Sequence, residues 1–337
     1  LTGAGWLALA SGLGWACGAG GGGDDAAPAA VRLGPPDTLV TEASEWIGGV
    51  AALAYGADGR LYVADARQHR VLSLRPDGTD PRWLGREGSG PGEFKVPLSV
   101  ARGPDTLWVY DFELGRVQAF DANGGYGRHY AVAASAVGGE RTLDPRGWLV
   151  VPTGGREGTL ALVFDATGAR RAALGRPLVP PARFFDFRSI RDRIRRGQIP
   201  DEFRNDLLPV WGAEGAVTLV FHSEPEVRRY GPDGALRWTR RLQDPALEAA
   251  RAEFVRKNVK NPDPAVLFPL RYVRGAAEAA GRLWLVLETG AAPDGALLEL
   301  DAESGVPRRR LALPGVAGAG ALAVDPAGRQ LFVALRD

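Results

Sequence analysis

Apolar and polar side chains alternate along most of this chain in short runs, and clusters of Gly, Pro and Asp separate the runs. The clearest run is VAALAYGADGRLYVAD, from Val50 to Asp65. It joins a small-residue stretch, a Gly-containing turn and an apolar stretch with Leu61 and Val63 on one side, and it ends in an acid. A period of two sends successive side chains to opposite faces, so the phrase predicts two antiparallel strands around a tight turn. It returns as LSVARGPDTLWVYD (Leu98–Asp111), RTLDPRGWLVVP (Arg141–Pro152), LPVWGAEGAVTLVF (Leu208–Phe221), RYVRGAAEAAGRLWLVLE (Arg271–Glu288) and GALAVDPAGRQLFVALR (Gly320–Arg336), which makes six copies. Most copies continue with a polar turn, a third strand, an Asp/Gly turn and a fourth strand. In the first, ARQH leads to RVLSLR, PDGTDP and RWLG. Each unit is therefore expected to be a four-stranded antiparallel sheet.

Such a sheet has two apolar faces and cannot bury both alone. Four-stranded repeats of about 40–50 residues are the signature of propellers, in which neighbouring blades cover one another around a channel. The last copy supplies only two strands before Asp337. Thr38–Ala43, upstream of the first copy, is expected to close the ring as the outer strand of the last blade. One strand is still missing, which leaves either a truncated end or a three-stranded final blade. The two long intervals between copies carry helical patterns instead. FFDFRSIRDRIRRGQIPDEFRND sets Phe187, Ile190 and Ile194 on one side at helical spacing. Asp244-Pro245, an N-cap followed by Pro in the first turn, opens a second helix with Leu247, Phe254 and Val255 as its apolar side. Insertions of this kind gather on one face of a propeller, often the binding face.

DGRLYVADARQHRVLSLRPDG, followed by GREGSGPGEFKVP, resembles an NHL repeat closely over Val50–Pro97. The resemblance lies in the Gly-x-Leu-Tyr-Val-Ala-Asp strand, the His-Arg-Val start of the next strand and the Gly-x-Gly-Pro-Gly-Glu-Phe exit. It is fair in the second unit. From Arg141 onward the blade rhythm and the closing phrases GRLWLVLE and GRQLFVAL carry it. It implies an all-β, six-bladed, NHL-like propeller over residues 37–337 with two short helical insertions. Related six-bladed enzymes, peptide-amidating lyases and lactonases, hold a divalent metal in the channel with side chains from several blades.

The amino terminus reads differently. Trp6–Ala16 is a short apolar stretch, too short to span a bilayer, that ends in small residues before Cys17. This resembles a bacterial lipoprotein signal. It implies that residues 1–17 are a signal with lipid attached at Cys17, that residues 18–36 are a flexible Gly/Ala/Pro-rich tether, and that the protein is exported to the cell envelope. Gly18, rather than Asp, after the Cys favours an outer-membrane lipoprotein. The other reading is a plain signal peptide with an incidental Cys. Cys17 is the only cysteine, so no disulfide within the chain and no Cys-based metal site can form.

Charge excludes little beyond nucleic acid. With 41 basic and 40 acidic residues the net charge is +1, and the run Arg188, Arg191, Arg193, Arg195, Arg196 reads as a solvated helix face. Candidate chemistry is sparse. His222, after the aromatic end of a second strand in FHSEP, is the best placed histidine for a ligand or a proton. His69 falls in a turn of the NHL phrase, and His129 begins an outer strand. Asp65, Asp111 and Glu288 share a blade position and would join His222 in a metal site, where zinc wants about three protein ligands and calcium wants oxygens. Their simpler role is to cap the turn after the second strand. Gly85–Gly92 lacks the Gly-Lys-Ser/Thr ending of a phosphate loop, and no Gly-x-Ser-x-Gly elbow occurs. No catalytic residue and no cofactor are expected. The function expected is that of a monomeric binding module for an unknown protein, peptide or glycan, attached to the membrane by its lipid. The alternative is a metal-dependent lyase or lactonase-like hydrolase with calcium or zinc in the channel.

Overall fold

The computed structural model describes residues 6–11, 29–33, 37–41, 46–132, 140–182, 184–263, 265–316 and 318–335. Three strands precede the first repeat: β1 (Trp6–Ser11), β2 (Ala29–Arg32) and β3 (Asp37–Thr41). Sheet I comprises β4 (Val50–Tyr55), β5 (Leu61–Asp65), β6 (Arg70–Leu74) and β7 (Arg82–Leu84). Sheet II follows with β8 (Pro97–Arg102), β9 (Leu107–Asp111), β10 (Arg116–Phe120) and β11 (Tyr126–Ala131), and sheet III with β12 (Thr142–Leu143), β13 (Leu149–Pro152), β14 (Ala161–Phe164) and β15 (Arg170–Leu174). After α1 (Phe187–Arg195) and α2 (Asp201–Arg204) comes sheet IV, β16 (Leu207–Trp211), β17 (Val217–Phe221), β18 (Glu226–Tyr230) and β19 (Leu236–Arg241). The 16-residue α3 (Pro245–Lys260) leads to sheet V, β20 (Val273–Ala279), β21 (Arg282–Leu287), β22 (Gly295–Asp301) and β23 (Pro307–Leu313). Sheet VI starts with β24 (Ala319–Val324) and β25 (Gln330–Leu335).

Sheets I to IV are four-stranded antiparallel meanders in chain order, as the alternating pattern requires. Sheet VI has the order β24-β25-β1-β3, so its outer half comes from the amino terminus. β3 falls where the closing strand was expected. The strand that seemed absent is β1, drawn from the apolar stretch whose composition suggested a secretory signal, and the sheet is complete with four strands rather than three. Sheet V departs from the pattern. Its antiparallel β20–β23 gain β2 as a fifth strand, parallel to β23, in a segment expected to be tether. Leu33, directly after β2, is buried among Trp284, Leu311 and Leu313.

The first strands of the sheets touch in cyclic order: β4 meets β8, β8 meets β12, β12 meets β16, β16 meets β20, β20 meets β24, and β24 returns to β4. The fold is thus an all-β propeller with four-stranded antiparallel blades and few helices. Its cores lie between the sheets. Leu149, Val151 and Leu162 of sheet III pack on Trp108, Tyr110 and Val117 of sheet II, and Ala321, Ala323 and Phe332 of sheet VI pack on Leu61, Val63 and Leu72 of sheet I. Fully burying one such aliphatic side chain is worth about 1.5–3 kcal/mol, so the stacking of sheets stabilises what a lone sheet cannot. No helix among the described residues is long and apolar enough to cross a membrane.

Candidate functional site

Each first strand starts, and each second strand ends, on one face of the ring, here called the upper face; Val50 opposite Asp65 and Leu207 opposite Phe221 mark it. Strand direction alternates, so every link from a fourth strand to the next first strand also lies there. Both helical insertions are such links, α1 and α2 between β15 and β16, and α3 between β19 and β20.

The channel is narrow. It encloses about 230 Å³ and is lined by small residues such as Ala52, Ala54, Ala101, Ala277 and Ala323 together with the charged Arg102, Glu140, Arg141 and Glu278. β20 and β24 run so close that a Cβ added to Gly275 would lie 1.8 Å from the Gly320 carbonyl oxygen. Below, Arg229 donates to both oxygens of Glu278 at 2.6 and 3.0 Å and to Thr218 Oγ1 at 3.1 Å. Both charged side chains are buried. Above, Glu140 pairs with Arg271 at 3.3 Å, and buried Arg141 stacks over Phe112 at 4.8 Å. Burial lowers the Arg141 pKa from its ordinary value.

The four singled-out side chains are dispersed over four sheets. Asp65 accepts the backbone N–H groups of Gly48 (2.6 Å), Gly49 (3.0 Å), Arg67 (3.0 Å) and Gln68 (2.9 Å). Asp111 does the same for Lys95 (2.7 Å), Val96 (3.2 Å) and Leu114 (3.0 Å). These carboxylates tie the approach to the first strand to the turn after the second. Glu288 accepts from Arg274 and from the Gly290 N–H, both at 2.9 Å. His222 is fully buried and its Nδ1 lies 3.0 Å from the Val273 carbonyl oxygen, which bridges sheets IV and V. A carbonyl only accepts, so Nδ1 carries the proton, and Nε2 meets no partner among the described residues. Burial holds the His222 pKa below its ordinary value, against the opposing pull of Asp206.

With their oxygens committed to internal donors, Asp65, Asp111 and Glu288 do not fit a calcium or zinc site with His222. No three His, Cys, Asp or Glu side chains converge as a metal-binding group among the described residues. His69 sits in a turn with its ring Nδ1 on the Lys95 carbonyl, and exposed His129 pairs with the Tyr126 hydroxyl at 2.6 Å. Cys17 lies outside the described residues.

The insertions instead form one unit around a larger hollow. Asp186 caps α1 through the Arg188 and Ser189 N–H groups, and Asp244 caps α3 through Ala246. Buried Arg191 reaches from α1 to the carbonyls of Asn261 (3.0 Å), Asp263 and Val266 (2.7 Å), beyond α3. Arg251 of α3 returns to the Gly197 carbonyl at 2.7 Å, and Phe203 of α2 meets Phe254 of α3 edge to face. The hollow holds about 610 Å³, with Phe185, Phe187, Phe203, Val266 and Leu267 as apolar walls and Arg156, Asn205 and Asp206 among its polar groups.

Ile190 and Ile194 are buried, as the helical spacing requires, but Phe187 is not. It is 42% exposed and joins Phe185 (46%) in an aromatic ridge beside the hollow, directly preceded by Phe184 (77%). Helical spacing sets the three apolar residues on one side without showing where that side ends, and Phe187 falls at its exposed margin. A dense aromatic run in a polar segment was the available signal for the site.

No family model matches the chain, and no curated protein matches it. Solved structures do. A Bacteroides fragilis protein assigned as exported is 10% identical, with a TM-score of 0.51 over 86% of this chain and 91% of that one. Virginiamycin B lyase from Staphylococcus aureus is 11% identical, with a TM-score of 0.47 over 86% and 80%. The WD40 repeats of RRP9 are 11% identical, with a TM-score of 0.49 over 89% and 84%. At these identities the likeness is one of fold alone.

Proposed function

We propose that this chain is an envelope-exposed binding module, not an enzyme, and that it engages a protein, peptide or glycan with the face carrying α1, α2 and α3. One observation carries the reading. The roomy, aromatic-walled hollow of about 610 Å³ lies between the insertions, whereas the channel is about 230 Å³ and lined by alanines together with Arg102, Glu140, Arg141 and Glu278. Concave, mostly apolar hollows with a few convergent polar groups are where ligands bind. Exposed aromatics are the usual anchors of such surfaces. The scaffold is read as a six-bladed, NHL-type propeller, with sheet V counted as a blade despite its extra strand; the cyclic contacts of the first strands and the motif over Val50–Pro97 support this.

Export and a lipid on Cys17 belong to the same proposal, supported by the sequence around Cys17. Processing there removes Trp6–Ser11, which cannot serve both as signal and as β1. The intact mass of protein recovered from membranes decides this point. A chain that begins at a lipidated Cys17 supports anchoring, and a chain that retains Trp6–Ser11 ends it.

The binding face is tested by a photo-crosslinking residue placed at Phe187, or at Ala327 in a turn on the opposite face, in cells of the source organism. Discrete adducts are expected from Phe187 alone. Equal adducts from both positions, or none from Phe187, would remove the reading.

A further inference from the structure

We infer that a second hollow on the insertion face, along the arginine stripe of α1, takes a linear acidic glycan. The inference rests on the binding-face reading and adds the chemistry of the occupant.

The arginine run of α1, expected to be one solvated helix face, is divided in the structure. Arg193 holds Glu202 at 2.6 Å. Arg188, Arg191 and Arg195 instead line one hollow of about 800 Å³, together with Phe185, Phe187 and Asn261. Positions i, i+3 and i+7 share one stripe of a helix, so the three cations stand in a row. At a rise of about 1.5 Å per residue, the steps between them are about 4.5 and 6 Å along the axis. Their order and spacing come from α1 itself.

Positive charge dominates this lining. Glu202 and Asp206, which line the neighbouring hollow, do not line this one. Its one acid is Asp186, whose Oδ1 accepts the Arg188 and Ser189 N–H groups as the cap of α1. Arg191 is 7% exposed, its guanidinium meets carbonyl oxygens and no carboxylate among the described residues, and its Nε has no partner there. Neutral acceptors leave a buried cation without a counter-ion, which an arriving anion supplies. Arg188 is exposed, with no partner for its guanidinium among the described residues. Arg195 is held by Asp192 at 2.9 Å in an exposed pair, which is worth little and readily exchanged.

A row of cations beside exposed phenyl rings suits a ligand that repeats. A glycan with a carboxylate or sulfate on each ring presents charge at steps of one ring, comparable to those of the arginines. Its C–H faces can stack on Phe185 and Phe187 while its hydroxyls stay in water, and Arg forks match carboxylate and sulfate oxygens in geometry as well as charge. A peptide strand finds no sheet edge to extend here, because the hollow is bounded by α1, the residues before it and the segment after α3.

The test uses the full chain and isothermal titration with an oligogalacturonide, which carries a carboxylate on every ring, and with a neutral galactan oligomer of the same length. Hexa-aspartate is titrated in parallel, and thermal melts confirm that each variant is folded. The acidic oligomer is expected to bind about tenfold or more tighter than the neutral one, and less tightly as salt rises. The combined Arg188→Glu and Arg195→Glu variant should abolish that preference, Arg329→Glu on the opposite face should preserve it, and Phe187→Ser should weaken binding of both oligomers. Equal binding of the two oligomers, lost in Phe187→Ser, would overturn the acidic assignment and leave the binding face standing. Binding of hexa-aspartate alone, lost in the double variant, would replace the glycan with an acidic peptide. No binding of any probe, with crosslinks at Phe187 still formed in cells, would overturn the glycan and keep the face, and loss of both signals would overturn both.

Discussion

The channel and the insertion face both enclose a hollow, yet they are built in opposite ways. Around the channel the first strands crowd together and much of the lining is Ala and Gly, because backbone from neighbouring sheets occupies the space that side chains would need, and its charged groups are Arg102, Glu140, Arg141 and Glu278. On the insertion face the strands have ended. Helices tied together by Arg191 and Arg251 seat Ile190, Ile194, Leu247 and Phe254 on the outer core of sheets IV and V, while large aromatics face outward. The repeat therefore imposes its constraint where the sheets converge and relaxes it where the chain leaves the repeat, and the room for a ligand lies with the departure. Any scaffold of stacked identical units shares this division, since each unit must fit its neighbours and only the links between units are spared that demand.

The largest effect separating the two regions belongs to Gly275. A methyl there meets the Gly320 carbonyl at a distance no van der Waals contact allows, and both partners are backbone within packed strands. Relief demands that sheets V and VI move apart. Gly275→Ala is expected to cost about 3 kcal/mol, at the upper end of overpacking penalties, and to lower the urea midpoint accordingly. A loss under about 1 kcal/mol would show that the ring yields at this seam and that the channel is not the rigid region of the pair.

The same division governs what could be read from the chain. Val50–Asp65 is legible because its two-residue period, its turn and its acid each state the same structure; it becomes β4 and β5, and Asp65 holds the four N–H groups that its position demands. β1 is not legible in that way. An apolar run without turn residues has the composition of a secretory segment and of a buried strand alike, and only the open edge of β25 distinguishes them. Ala29–Arg32 has no alternation at all, and its parallel docking on β23 depends on a sheet edge far along the chain. The site was least legible. Phe184 and Phe185 precede α1 outside its helical period, so nothing in the pattern shows which way they face. The packing of α1 against α3 decides that, and it joins two insertions separated by the whole of sheet IV.

His222 marks the boundary between the regions, beneath the insertions and against the first strand of sheet V. Its pKa is lowered in the folded protein, first by burial, with Arg271 adding to the shift and Asp206 and Glu140 opposing it. An unfolded histidine titrates near 6.5, so below about that pH the unfolded chain binds the proton and the native one resists it. This site therefore contributes no penalty well above the unfolded pKa, and the penalty grows as pH falls through about 6.5. His222→Asn keeps a donor for the Val273 carbonyl and removes the titration. Urea midpoints measured from pH 7.5 to 5.5 should fall in the parent and fall less in the variant. Parallel curves would mean that the native and unfolded chains bind the His222 proton equally and that burial does not disfavour it.

The smallest effect is expected where the comparison is sharpest. Phe184 is the most exposed large apolar residue among the described residues, at 77%, and it directly precedes the aromatic ridge, outside the helical period of α1. A side chain that buries almost nothing contributes almost nothing to folding, so Phe184→Ser should leave the urea midpoint within about 0.5 kcal/mol of the parent. An aromatic kept in water without a role in stability is a cost in solubility, and a binding surface accounts for it where a core does not. A loss above about 1 kcal/mol would place Phe184 among the residues that hold the insertions together, and the ridge would then be packing rather than a surface offered to a ligand.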